Sequence, residues 1–253
     1  MNLYFLLVFV LAVPFWLWGG GKLPLPINLP AGALVAFVPM AAACAVTYRQ
    51  QGRAGVVHLL KRTFDFHRTA NGIWFLPALL LPPLIYALSY AILRWTGRPL
   101  PETVEIPLSM APVFFAMFFV GGAGEELGWS AHAIDPMQDR WGVARASLAL
   151  GVVWAIWHSI PYMQTGNSAA WIMWQSAQTV GLRVLLVWIY NRAGRSAFAA
   201  ILMHVTANMS WSLFPNFGSH YDPMVTSVVV WAAAAIVLLG WRTAPSGVTS
   251  QAS

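Results

Sequence analysis

The chain has 253 residues, 58% of them hydrophobic, and only 14 basic and 8 acidic side chains, 9% of the total. Soluble domains carry about a quarter charged residues, so a soluble enzyme, a disordered chain and a nucleic-acid reader are excluded. The net charge of +6 therefore matters through its placement, and the single cysteine, Cys44, leaves no disulfide framework and no cysteine-ligated zinc site.

A helix needs about 20 mostly apolar residues to cross a bilayer. In chain order such runs fall at roughly 3–18, 27–48, 72–93, 108–133, 146–161, 169–190, 196–214 and 223–241. They predict an all-α polytopic membrane protein of about eight transmembrane helices. The first run lacks a basic start and a small-residue cleavage site, which predicts a retained helix rather than a signal peptide. The alternating ten-residue segments of a membrane barrel are absent. So is an internal repeat, which leaves inverted-repeat transporter folds without support.

The basic residues orient these runs. With the N-terminus inside, the inner loops hold Arg49, Arg53, Lys61, Arg62, Arg68, Arg140, Arg145, Arg192, Arg195 and Arg242, and the outer loops hold Lys22, Arg94 and Arg98. That excess inside predicts cytoplasmic termini in a cell membrane. The stretch 49–71 reads as the longest cytoplasmic loop, an orientation signal that also touches anionic lipid. Segment 134–145 mixes charges with Met137, Trp141 and Val143 and reads as lying along the inner interface. The tail after Trp241 reads as polar and disordered.

Charges inside apolar spans cost at least ~2.5–3.5 kcal/mol each at mid-bilayer and mark function by default. This chain places Glu125 and Glu126 in the fourth run, His158 in the fifth, Arg183 in the sixth, and His204 with the amide Asn208 in the seventh. At about 1.5 Å per residue, Glu125 and His204 lie ~12 Å from the inner face, Arg183 ~10 Å and His158 up to ~18 Å. A shared layer on four helices predicts a polar pocket open to the cytoplasmic side. His204 and Asn208 are four apart and share a helix face, as do Trp154 and His158. Glu125 and Glu126 diverge by about 100° around the helix, so only one faces the pocket squarely. Gly121, Gly122 and Gly124 permit close helix approach. Pro161 is expected to end or bend its helix. His132 reads as an interfacial residue, while Trp129 and Trp157 are candidates for lining the pocket.

A carboxylate, two histidines and a buried amide suit amide hydrolysis. The carboxylate takes a proton from water, one histidine orients the water, and the other histidine and the amide stabilise an oxyanion. The same set is that of a His₂Glu zinc site formed by His158, His204 and Glu125, and the sequence leaves no cofactor and zinc equally open.

Glu125-Glu126-Leu127-Gly128-Trp129, Trp154-Ala155-Ile156-Trp157-His158 and His204-Val205-Thr206-Ala207-Asn208 resemble, in order, the EExxxR, FxxxH and HxxxN motifs of the CAAX-protease and bacteriocin-processing family of intramembrane endopeptidases. The resemblance runs from about residue 108 to 214. It implies about eight spans around a conical cavity open to the cytosol, Glu125 activating water, His158 assisting, and His204 and Asn208 stabilising the oxyanion. The implied organisation is a single integral membrane domain. N-terminal helices and the basic loop occupy 1–107, the catalytic core 108–214, and the last helix with a short polar tail 215–253. The implied partners are membrane lipid and a peptide or membrane-protein substrate, with no nucleic acid.

Two positions depart from the motifs. Trp154 stands for phenylalanine and Ser130 for the arginine of the first motif, which leaves Glu126 without its local cation. Arg183, at matching depth, either supplies the charge by pairing with Glu126 or Glu125 or snorkels to the inner interface. The alternatives are a catalytically inactive relative that binds a membrane partner or peptide, and a proton- or ion-coupled transporter.

Overall fold

The computed structural model describes residues 1–18, 31–69 and 72–243, and the readings made of Lys22 and of the polar tail fall on residues outside these. Each of the eight apolar runs overlaps an α-helix, although the second, 27–48, begins outside the described residues and meets its helix only from residue 38. The helices are α1 (Asn2–Leu17), α2 (Val38–Lys61), α3 (Phe75–Trp95), α4 (Ala111–Gly128), α6 (Val143–Gln164), α7 (Ala169–Arg192), α8 (Ala197–Leu213) and α9 (Pro223–Thr243), with a short α5 (Ile134–Trp141) between. No strand occurs among the described residues. Five helical segments are long and apolar enough to cross a membrane: Ala33–Phe64, Phe75–Trp95, Leu108–Trp141, Val143–Gln164 and Pro223–Trp241. Rows of large apolar side chains face outward on them. Leu80, Leu84 and Leu88 on α3 and Val152 and Ile156 on α6 are exposed, a surface that water does not tolerate in a monomer. Together they make the chain a membrane protein.

Helix α7 runs through the middle, packed on α6, α8 and α9, while α4 packs on α2 and α8. Its centre is buried on every side, from Val184 to Val187, which suits the core of a bundle. Its mean hydropathy falls short of a lipid-facing span because Gln175, Gln178, Thr179 and Arg183 lie on it, all buried.

Several local expectations are corrected. Residues 49–61 are not loop: α2 continues through them, bent at Gly52, whose positive φ of 66° is conformationally cheap only for glycine. The helix of Glu125 does not stop at residue 133 but passes through a five-residue π-helical turn, Trp129–Ala133, into α5. Pro161 does not end α6, which continues to Gln164. Close helix approach rests on Gly124, as expected, and on Gly128, but not on Gly121 or Gly122. A Cβ at Gly128 would lie 2.5 Å from the Pro39 carbonyl carbon and one at Gly124 2.7 Å from the Ala36 oxygen, whereas Gly121 and Gly122 would meet only ordinary contacts. Gly128→Ala is accordingly expected to cost about 1–3 kcal/mol through overpacking, read as a lower thermal midpoint of the purified protein.

Arg62, counted as an orientation charge, is buried. It donates to the Ala131 carbonyl at 2.7 Å, the Arg195 carbonyl at 2.6 Å and the Tyr190 hydroxyl at 3.0 Å, and its Nε donates to Asp65 at 3.3 Å. Asp65 in turn accepts from Ser196 Oγ at 2.8 Å and from the Ala197 and Phe198 N–H groups at 3.2 and 3.0 Å. These are the orphan donors that open a helix, and a carboxylate there also meets the positive end of the helix dipole. The turn after α2 thus clasps the π-helical turn behind Glu125 and Glu126 to the start of α8, which carries His204 and Asn208.

Candidate active site

The two adjacent glutamates part as helical geometry requires. Glu125 lines a cavity of about 220 Å³ together with Trp154, His158, His204 and Asn208. Glu126 is fully buried behind it. The four helices α4, α6, α7 and α8 therefore bring the three motif positions to one place.

Glu126 is held from three directions. Arg183 forks onto it, Nη1 to Oε2 at 2.7 Å and Nη2 to Oε1 at 3.1 Å. His204 Nδ1 meets Oε1 at 2.8 Å, and the Ser130 hydroxyl donates to Oε2. Both partners of the ion pair are wholly excluded from solvent. A bidentate arginine–carboxylate pair is the strong geometry for such a site. The sequence offered Glu126 and Glu125 as partners for Arg183, and the structure has Glu126. Ser130, which removed the local arginine, makes room for the one arriving from α7 and stands 3.4 Å from its Nη1.

Trp154 links the two glutamates. Its indole Nε1 donates to Glu125 Oε2 at 2.7 Å, while the Arg183 guanidinium lies 4.0 Å above its ring, a cation–π contact. A phenylalanine would keep the face and lose the donor.

His158 is fixed by its own helix. Its Nδ1 meets the Trp154 carbonyl at 3.0 Å. A carbonyl only accepts, so Nδ1 carries the proton and the neutral ring has its lone pair on Nε2. That Nε2 stands 4.0 Å from Glu125 Oε2. Rings pack around it at the i±4 spacing and beside it: Trp154 at 5.2 Å, Trp157 at 4.8 Å and Tyr162 at 5.7 Å between centroids. Trp157 and His158, with Glu125, also line a second cavity of about 300 Å³ bounded by Phe15, Trp16 and Val35. Trp129 lines neither cavity; it is buried edge-on between Tyr4 and Trp157. His132 faces away, against Tyr4 and Thr47.

The donor types for zinc are present but not drawn together. Three ligands of one zinc ion lie at ~2.0–2.2 Å from the metal, hence within roughly 3.5 Å of one another. His158 and Glu125 are 4.0 Å apart, and among the described residues no three His, Cys, Asp or Glu side chains form a group able to hold a metal ion. The arrangement does not fit a metal as it stands.

The rest of the first cavity's wall went unread in the sequence. Tyr86, Tyr162, Gln175, Gln178 and Thr179 line it. The signal was available: Gln175, Gln178, Thr179 and Arg183 recur at three- and four-residue steps on α7, a polar stripe on an otherwise apolar helix.

Comparison with known proteins meets this geometry. Residues 107–210 match the family described as Type II CAAX prenyl endopeptidase, Rce1-like. The CAAX prenyl protease 2 of Methanococcus maripaludis is 27% identical over 136 residues, covering 50% of this chain and 49% of the relative. The chain thus spans about half the length of the curated relative it matches. The resemblance carried by the three motifs is borne out: residues 107–210 match the Rce1-like family, and all three motifs lie within the matched segment.

Proposed function

We propose that this protein is an intramembrane endopeptidase that hydrolyses a peptide bond of a membrane-associated peptide or protein with water activated by Glu125. The observation that carries this reading is the convergence of Glu125, His158, His204 and Asn208 on one cavity within a segment matching a family of endopeptidases. Glu125 Oε2 and His158 Nε2 are both acceptors, 4.0 Å apart. One water donating hydrogen bonds of ~2.8 Å to each spans that gap and keeps a lone pair for the carbonyl carbon. Glu125 takes the proton as bond formation proceeds and returns it to the leaving amine. The Asn208 carboxamide donates to the oxyanion, joined by the Nε2–H of His204 in its imidazolium form, whose Nδ1–H is held by the Glu126 carboxylate. Arg183, Glu126, Ser130 and Trp154 support these groups, holding His204 and Glu125 in position.

The same reading keeps eight membrane-crossing helices, with α7 and α8 as inner spans shielded from lipid, cytoplasmic termini in a cell membrane, and a cavity reached from the cytoplasmic side. The basic residues near the inner ends of the helices support that orientation. It also keeps one integral membrane domain, with residues 1–107 and 215–253 enclosing the core at 108–214, lipid around it and no nucleic-acid partner.

The test is turnover by the purified full chain in lipid nanodiscs, read by mass spectrometry on a library of membrane-segment peptides. Defined cleavage products are expected, and cleavage equally present in Glu125→Gln preparations would remove the assignment. Activity is expected to survive strong chelation, with no gain on zinc add-back, because the step uses only the chain's own groups. Loss on chelation restored by zinc would contradict it. Trp154→Phe is expected to lower kcat about tenfold or more and the thermal midpoint modestly, since a hydrogen bond to a charged group contributes about 1.5–3 kcal/mol while the ring face under Arg183 remains.

A further inference from the structure

Attack on a peptide bond inside a membrane requires that the bond first leave its helix. A spanning helix satisfies every backbone N–H and C=O internally, and each group released by unwinding is costly unless a new partner receives it. The catalytic groups receive only the scissile carbonyl. The rest of the cavity wall is built to receive more.

That wall is neutral, polar and buried. Gln175, Gln178 and Thr179 on α7 are each 5% exposed or less. The Tyr221 hydroxyl reaches the carboxamide oxygens of Gln175, at 2.6 Å, and of Gln178, and Gln178 Nε2 meets the Tyr86 hydroxyl at 3.3 Å. Thr179 donates back to the Gln175 carbonyl at 2.9 Å. The one Tyr221 hydroxyl hydrogen serves only one of those two carboxamide oxygens, so one carboxamide turns its NH₂ to Tyr221, and Gln175, on the cavity lining, keeps donor capacity beyond that contact. No Lys, Arg, Asp or Glu other than Glu125 lines this cavity among the described residues. A carboxamide both donates and accepts, as a main-chain amide does, so the wall matches peptide backbone and offers a charged side chain no counter-charge.

We infer that the Gln175–Gln178–Tyr221 cluster is a subsite for the unwound main chain of the substrate, with the Gln175 carboxamide hydrogen-bonding a backbone amide beside the scissile bond. This deepens the endopeptidase reading and rests on it for the position of that bond. The substrate class it names is an uncharged membrane segment that unwinds locally, recognised through backbone rather than through one side chain. Binding of this kind is made equally in ground and transition state, so its loss raises KM and leaves kcat in place.

The probe is a series of uncharged decapeptides in which single backbone amides are replaced by esters, a change that weakens one carbonyl acceptor and removes one N–H. Turnover is measured with the wild-type chain, and retention with the full-length Glu125→Gln chain, alone and combined with Gln175→Leu. One ester position outside the scissile bond is expected to weaken kcat/KM and retention about tenfold, about 1.4 kcal/mol. Gln175→Leu alone is expected to raise KM by a similar factor with kcat unchanged, and the two losses together are expected to be no larger than either. Additive losses, or Gln175→Leu lowering kcat at constant KM, would overturn the subsite while leaving the endopeptidase reading intact. Retention with the coupled penalty but no turnover would uphold the subsite and overturn the hydrolytic reading alone. Neither retention nor turnover would overturn both.

Discussion

Glu125→Gln is expected to lower peptide turnover by roughly 10²–10⁴-fold, the usual contribution of a general base, without loss of folded protein. The carboxamide keeps the shape of the side chain, and its oxygen still accepts from Trp154 Nε1, which stands 2.7 Å from the native carboxylate. What it loses is the capacity to take a proton from water. Because that capacity is used in the transition state, kcat is expected to carry the loss and KM to stay within a few-fold. Single-turnover measurement on the purified full chain reads this directly. The neighbouring Glu126→Gln is expected to behave differently: it halves a buried ion pair, so the amount of folded protein falls before the rate is in question.

Arg183→Ala is expected to produce the largest loss of stability of any single change in the site. Removing one partner of a fully buried ion pair costs about 3–5 kcal/mol because the other charge remains in place unpaired. Glu126 would then retain His204 and Ser130 but no fixed cation, and His204 would share a carboxylate free to move. The thermal midpoint is expected to drop steeply and turnover with it. Two further variants separate charge from position. Adding Ser130→Arg to Arg183→Ala is expected to recover part of both, since residue 130 lies one helical turn from Glu126 and beside the vacated guanidinium. Arg183→Met with Glu126→Leu removes both charges, and is expected to recover the thermal midpoint but not turnover, because His204 has lost its acceptor. A wild-type thermal midpoint for Arg183→Ala would contradict this account of Glu126.

Much of the fold was legible because apolar length is a strong signal in a membrane chain. Each run of about 20 residues became a helix, and the convergence of the motif residues followed from depth alone. Where the reading failed, the cause was tertiary context. Residues 49–61 look like loop because they are charged, yet their helix only needs to be amphipathic where it meets the π-helical turn. Arg62 is indistinguishable in sequence from a lipid-facing arginine; its burial depends on Asp65, Tyr190 and two carbonyls that the fold brings from over 60 residues away. Pro161 was expected to end or bend α6, and the helix does not end there: it runs one further turn to Gln164 although the proline has no N–H to donate to the residue 157 carbonyl. Gly128 carried no visible demand for smallness until Pro39 was seen against it. Arg183 was legible for a different reason: a missing arginine at position 130 left a charge to be balanced, and few residues at that depth qualified.

The central claim is that Glu125 activates the water that cuts a membrane-associated substrate. Its most direct test compares new peptide termini in membranes of cells that make equal amounts of wild-type or Glu125→Gln protein. Termini present only with wild type, lying within or beside apolar segments, are the predicted result. Identical termini with both proteins folded and abundant would contradict it, and would leave a polar cavity that binds without cutting.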